Sequence, residues 1–173
     1  MSIWTKLFGA GGESGGESGD TATVRRIAAE LERLPRETAK YLAGFAYVLA
    51  RVANADLDID VEETREMERI AMSLADLSPA EAALVVEIAK SQALMLGGTE
   101  NYVVTREFRK TATDEQRGKL LQCLFAVAAA DGTITTDESS EIAAIGEELG
   151  FTRPQINALR SGYRDKLAEF KKR

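Results

Sequence analysis

The feature that most constrains the fold is a stretch of 26 residues that occurs twice. When residues 49–74 are aligned with residues 124–149, ten of the 26 positions are identical, whereas chance would give roughly two. Both copies then reach a capped helix start, at Ser78 and at Thr152. We interpret the repeat as a duplicated helix–loop–helix hairpin. Because two copies cannot form an open solenoid, we expect a closed globule with a pseudo-two-fold axis.

Apolar residues recur at the helical period of 3.6 along most of the chain after residue 20, and no segment alternates with period two. The apolar faces lie in residues 24–34, 41–52, 67–74, 84–89, 103–112, 120–130, 142–149 and 156–170. They predict one compact all-α domain of seven to eight helices over residues 21–173. The segment 120–130 is apolar on almost every side, which predicts a central buried helix. The last helix is expected to reach Phe170, although Gly162 weakens its middle.

The composition excludes most familiar catalytic chemistry. The chain contains no histidine, which removes His-dependent hydrolases, His general bases and mixed His sites for zinc. The single cysteine, Cys123, lies in an apolar run and is expected to be a buried small hydrophobe. The net charge of −6 argues against binding nucleic acid. We therefore expect a protein that is not an enzyme.

Residues 1–20 form a short apolar N-terminal segment followed by a linker rich in Gly, Ser and Glu. The apolar residues are Ile3, Trp4, Leu7 and Phe8, which share one face if the segment is helical. Two interpretations remain open: the segment folds back onto the domain, or it contacts a membrane surface or a groove of a partner protein. No apolar run is long enough for a membrane span or a secretory signal. A cytoplasmic location, with or without peripheral contact at the inner membrane, is the expectation.

The repeated stretch carries an acidic phrase at each helix start. Asp60 and Glu63 have the spacing of a capping box, and Thr135 and Glu138 repeat it. The two glutamates therefore have a structural role in folding. Asp56 and Asp131 are harder to explain, because an aspartate at the C-terminal end of a helix meets the unfavourable end of the helix dipole. A bond to a loop amide, a nearby cation or a bound metal would compensate it.

A metal site is one interpretation of this density of carboxylates. Asp56, Asp58 and Asp60 alternate in the first copy, and the second copy supplies Asp131, Asp137 and Glu138. Ligands that are all oxygen suit Ca²⁺, Mg²⁺ or Mn²⁺. The pattern is not an EF-hand, which would need Gly and Glu where Val61 and Met67 stand. The alternative is that these residues serve only loop structure and solvated charge.

The same residues resemble the tellurite-resistance TerB family and the TerB-like domain of DnaJ-type co-chaperones. The match rests on the phrase A-x-A-D-x-x-I, its acidic capping box and the helix end Leu149-Gly150-Phe151. It extends over about residues 38–165, and the second copy is closer because Leu57 replaces the usual glycine in the first. The resemblance implies an all-helical cytoplasmic stress-response protein, often in membrane-linked complexes. It also implies metal-binding acidic loops, here at Asp56, Glu63, Asp131 and Glu138, with Asp60 and Asp137 beside them.

Three functions are compatible with these patterns. The favoured one is a TerB-like protein-interaction module that binds a divalent cation through its acidic loops. A rival is a metal-dependent enzyme acting on phosphate-type substrates, which would need both loops to converge in one cleft. The third is a metal-free helical scaffold.

Overall fold

Eight α-helices make up most of the part of the chain that can be described. The computed structural model describes residues 21–53, 60–92 and 101–171. The helices are α1 (Thr21–Glu32), α2 (Arg36–Ala53), α3 (Val61–Ala75), α4 (Pro79–Gln92), α5 (Asn101–Thr111), α6 (Asp114–Ala129), α7 (Thr136–Glu148) and α8 (Arg153–Ser161). No β-strand occurs among these residues, apart from one isolated bridge between Ile134 and Leu167. The predicted all-α fold class is confirmed.

The helix starts follow directly from short sequence motifs. Reciprocal capping boxes join Asp60 with Glu63, Ser78 with Glu81, Thr113 with Gln116, Thr135 with Glu138, and Thr152 with Gln155. In each box two amides at the start of a helix receive side-chain partners within the same turn. Gly150 follows α7 with a φ of 94°, a conformation that glycine adopts without steric cost. The predicted helix starts and the stop at Gly150 are confirmed.

α2 lies at the centre of the fold. It packs against α1, α4, α5, α6 and α7, and every residue from Leu42 to Ala50 is buried. Small residues allow this close approach: a Cβ added at Gly44 would lie 2.7 Å from a ring carbon of Phe108 on α5. The sequence interpretation placed residues 120–130 at the centre instead. The predicted burial is confirmed for most of α6, including Leu121, Leu124 and Phe125. Gln122 is exposed, however, and the central place belongs to α2, which packs on more helices.

The C-terminal segment departs from the prediction of one long last helix. α8 ends at Ser161, and two 3₁₀ turns follow at Arg164–Lys166 and Ala168–Phe170. The chain turns at Gly162 and brings Leu167, only 2% exposed, beside the buried Ile134. Phe170, predicted to line the helix, is 50% exposed. The apolar spacing of residues 156–167 is therefore met by a fold-back and not by a continuous helix.

The two helix pairs that carry the repeat have corresponding partners. α2 and α3 hold the first copy, whereas α6 and α7 hold the second. α3 packs on α6, and α7 packs on α2, which is the exchange of neighbours that a two-fold relation requires. The duplication itself remains an interpretation of the sequence.

Candidate functional site

The second acidic phrase forms a turn between α6 and α7. α6 ends at Ala129, and Gly132 takes a φ of 98° in the turn that follows. The Asp131 carboxylate accepts a hydrogen bond from the amide of Thr133 at 3.0 Å. This bond is one of the compensations expected for an aspartate at a helix C-terminus. Asp131 therefore has a structural role in the turn.

Capping uses the other carboxylates of the two phrases. Glu138 accepts from the amide of Thr135 at 2.8 Å, while the Thr135 hydroxyl accepts from the amide of Glu138 at 3.1 Å. In the first copy, Glu63 accepts from the amide of Asp60 at 2.9 Å, and the reverse bond is 2.8 Å long. One oxygen of each capping carboxylate is thus held within its own helix start. Both glutamates have the predicted capping role.

Two of the expected site residues remain to be placed. Asp137 lies exposed in the first turn of α7, where an acidic side chain complements the helix dipole. Asp56, the counterpart of Asp131 in the first copy, lies outside the described residues, as do Leu57, Asp58 and residues 1–20.

The C-terminal segment closes over the second acidic turn. The amide of Ile134 donates to the Lys166 carbonyl at 2.7 Å, and the amide of Ala168 donates to the Ile134 carbonyl at 2.9 Å. The Lys171 ammonium donates to the Gly132 carbonyl at 2.6 Å and also to the Thr133 hydroxyl. The turn therefore has a cation of its own. We call residues 163–171 the C-terminal strap.

The comparison with known families agrees with this geometry. The family model described as tellurite resistance protein TerB matches residues 42–161, a range that holds both copies of the repeat and all the helices from α3 to α8. The chain belongs to the TerB family. No curated protein and no solved structure matches it.

The acidic residues of this TerB-family chain are candidate ligands for a divalent cation. Their all-oxygen donors suit Ca²⁺, Mg²⁺ or Mn²⁺. Within residues 21–53, 60–92 and 101–171, however, no group of three or more Asp, Glu, Cys or His side chains is placed to hold a metal ion. Asp131 and Glu138 also each give one oxygen to a backbone amide. The described residues do not assemble a coordination shell, so the metal site stays a prediction.

A buried ion network in the TerB domain was not predicted from the sequence. Arg51 of α2, whose side chain is 8% exposed, binds Glu148 at 2.7 Å and Glu141 at 2.8 Å. It also donates to the hydroxyl of Thr105 at 3.0 Å. Burial alone would lower the pKa of Arg51, but the bonds from the two glutamates raise it, so the guanidinium stays charged. Its sequence signal was a single charge at the end of an apolar run.

Two further properties of the TerB domain concern its single cysteine and the length of its helices. Cys123 is buried, and burial raises the pKa of its thiol to about 12, so it is neutral and unreactive at neutral pH. Among the helices that the structure describes, none has the length and apolar character needed to cross a membrane.

Proposed function

We propose that this TerB-family chain is a non-enzymatic interaction module of the cytoplasm that acts in resistance to tellurite or a related stress. The observation that carries the proposal is the use of the acidic side chains within the fold. Glu63 and Glu138 cap helices, and Asp131 holds a turn. These residues are therefore committed to shaping a surface. A general base or a metal-bridging carboxylate would need its oxygens directed at a substrate.

The interior supports the same proposal. Two polar side chains of the interior, Arg51 and Thr105, belong to one ion network that joins α2, α5 and α7. Cys123 has a raised pKa, and the chain has no histidine. The rival metal-dependent enzyme would need a pair of metal ions roughly 4 Å apart between convergent carboxylates.

The proposed role is tested in the source cell. Deleting the coding sequence is expected to lower the tellurite concentration that stops growth, and restoring the wild-type chain is expected to reverse this. Cross-linking of the restored chain in cells, followed by mass spectrometry, is expected to give a reproducible protein partner. Normal resistance in the deletion strain under tellurite and other stresses would refute the stress role. Hydrolysis of phosphate esters by the purified chain would refute the non-enzymatic role.

We also propose that the apolar N-terminal segment attaches the module to a membrane surface or a partner. The support is the apolar set Ile3, Trp4, Leu7 and Phe8, joined to the domain by a linker rich in glycine and serine. Replacing these four residues with serine in the full chain is expected to abolish its co-fractionation with membranes or with a partner protein. The far-UV circular dichroism, which reports the helical fold, is expected to stay unchanged. A matched control replaces the two linker serines, Ser14 and Ser18, with alanine. Normal co-fractionation of the fourfold variant would exclude this role.

Divalent-cation binding is the finer part of the proposal. Its support is the oxygen-only donor chemistry of Asp60, Asp131 and Asp137, together with the family membership. Calorimetric titration of the full chain with Ca²⁺, Mg²⁺ and Mn²⁺ is expected to show uptake of at least one of them. The absence of heat at millimolar concentrations of all three metals would remove metal binding from the proposal and leave a metal-free module.

A further inference from the structure

An open cleft lies at the end of the helix bundle away from the second acidic turn. It has a volume of about 400 Å³ and is lined by Glu37, Thr38, Tyr41, Ala75, Asp76, Leu77, Glu81, Thr111, Gln116 and Lys119. These residues come from the starts of α2, α4 and α6 and from the ends of α3 and α5. From Lys119 in the lining, α6 continues for ten residues to Ala129, a distance of about 15 Å along the helix. The cleft is therefore separate from the second acidic turn.

Part of the anion-binding capacity of the helix starts around this cleft is used within their own capping boxes. At the start of α4 the amide of Ser78 donates to Glu81 at 2.9 Å, and the amide of Glu81 donates back to the Ser78 hydroxyl at 3.1 Å. At the start of α6 the amide of Thr113 donates to Gln116 at 2.9 Å. Helix N-termini bind anions through amides that lack partners. At α4 and α6 the capping boxes use two such donors each.

Carboxylates dominate the charge of the cleft. Glu37 is exposed in the first turn of α2, and the Asp76 side chain is 72% exposed at the end of α3. Lys119 is the one cation of the lining, and it is held by Asp76 at 2.6 Å and Glu115 at 2.9 Å. The bonds to Asp76 and Glu115 raise the pKa of Lys119, so it is fully charged. Three lining carboxylates therefore face one ammonium that is already paired.

The aromatic wall of the cleft is rigid. The Tyr41 ring stacks on Phe108 with centroids 5.6 Å apart and meets the edge of Phe45 at 6.0 Å. Burial raises the pKa of Tyr41 to about 12, with smaller contributions from neighbouring groups, among them Glu81 and Asp76. The phenol is thus neutral and fixed in place. It gives the cleft a half-buried wall against which an aliphatic side chain can pack.

We propose that this cleft is a docking site for a lysine or arginine side chain of a partner protein. The positive head of such a side chain would meet Glu37 and Asp76, and its aliphatic stem would lie along Tyr41 and Leu77. Charge complementarity selects this occupant: the lining carries a net charge of −2, from three carboxylates and one ammonium. The proposal deepens the interaction role proposed above and rests on it.

Short charged peptides serve as probes of the full chain. Acetylated tetralysine and tetra-arginine are titrated into ¹⁵N-labelled protein, with tetraglutamate as the oppositely charged probe. We expect the basic peptides to shift the amide resonances of residues 37–41, 75–77 and 81, and tetraglutamate to leave them unchanged. Shifts spread evenly over the acidic surface, or binding of tetraglutamate in the cleft, would overturn the proposal.

Two variants with opposite charge changes make the test directional. Glu37→Gln combined with Asp76→Asn removes two charges and keeps a side chain that tolerates the positive φ of residue 76. It is expected to weaken binding about tenfold, at roughly two- to fivefold per exposed charge. Lys119→Met, which frees Asp76, is expected to tighten binding severalfold. An unchanged affinity in the double variant, or weaker binding in Lys119→Met, would overturn the proposal.

A matched control distinguishes binding in the cleft from an effect of the protein's net charge. Glu62→Gln combined with Asp165→Asn makes the same change in charge outside the cleft lining, and Glu62 lies at the opposite end of α3 from Asp76. We expect it to leave peptide affinity within about twofold of wild type. An equal loss in both double variants would refute a specific site. Urea unfolding of each variant checks that the fold is intact.

A further experiment asks whether the cleft binds a second copy of this chain and not a different protein. Sedimentation is expected to give the same mass for the wild type and for the Glu37→Gln, Asp76→Asn variant. Self-association that this variant abolishes would overturn the assignment to another protein. Peptide binding in solution and tellurite resistance in cells are separate measurements, so the cleft and the wider module role can each fail without the other.

Discussion

At the scale of single residues, Arg51 shows how one buried charge joins distant parts of the TerB fold. Its guanidinium makes a forked contact with Glu148 at 2.7 and 3.3 Å and contacts Glu141 at 2.8 Å. The partners lie 90 or more positions away in the sequence. Only α2 carries the arginine, since the repeat places Ala126 at the corresponding position. The network is therefore a feature by which the two halves differ.

Replacing Arg51 with methionine is expected to lower the free energy of unfolding by about 2 kcal/mol, because two half-buried glutamates would lose their charged hydrogen-bond donor. Arg51→Lys keeps the charge but loses the fork, and an intermediate loss is expected. Arg69→Met is the control, because it breaks an exposed pair with Glu66, and exposed ion pairs contribute little to stability. Urea denaturation at pH 7 measures all three. Similar losses for Arg51→Met and Arg69→Met would contradict the role of the network.

At the scale of elements, mutations in the capping boxes can distinguish a structural role of the acidic phrases from metal binding. Thr135→Ala and Glu138→Ala are each expected to cost about 1 kcal/mol of stability. Since the box needs no metal, the same cost is expected with and without EDTA. Thr113→Ala, which opens a box outside the repeat, gives the reference value. A cost at Glu138 that appears only with added Ca²⁺, Mg²⁺ or Mn²⁺ would show that metal ligation is its main role.

The C-terminal strap places an ammonium group at the second acidic turn. Lys171 donates to the Gly132 carbonyl and to the Thr133 hydroxyl, so an incoming metal ion would meet oxygens that already have a cation. Lys171→Met is expected to raise the affinity of this turn for Mn²⁺ severalfold, read as paramagnetic broadening at residues 131–138. Lys166→Met, in the same strap, is the charge-matched control. Equal broadening in the wild type and both variants would refute this competition.

Local motifs made the elements predictable, whereas their arrangement depended on contacts between distant residues. The box of Thr135 and Glu138 is complete within four residues, so its sequence alone indicated a helix start. The central place of α2 arises from neighbours such as Phe108, which meets Gly44 from another helix. The fold-back of Leu167 onto Ile134 likewise joins residues that are distant in sequence. The cleft at Asp76 and Lys119 was missed for the same reason.

At the scale of the whole molecule, the burial of weakly acidic side chains such as Cys123 and Tyr41 links stability to alkaline pH. Burial raises the pKa of Cys123 from 9.0 to about 12 and that of Tyr41 from 10.0 to about 12. A raised pKa in the folded state means that unfolding releases protons above the ordinary pKa. The stabilisation is complete below pH 9, falls as the pH rises, and is lost near pH 12. The protein should therefore weaken at high pH.

The loss is largest for Cys123, which is 1% exposed. Between pH 8 and 10.5 this thiol should lower the free energy of unfolding by about 2 kcal/mol. The reason is that over this range the thiol ionises in the unfolded chain but stays protonated in the folded one. Cys123→Ala is expected to flatten the pH dependence of the unfolding free energy by that amount, and Tyr41→Phe by a smaller one. Urea denaturation at several pH values gives the slope of the unfolding free energy against pH. A loss of packing that is the same at every pH does not change this slope. An unchanged slope in Cys123→Ala would mean that the thiol ionises in the folded protein, and in that case rapid alkylation of Cys123 at pH 10.5 should follow.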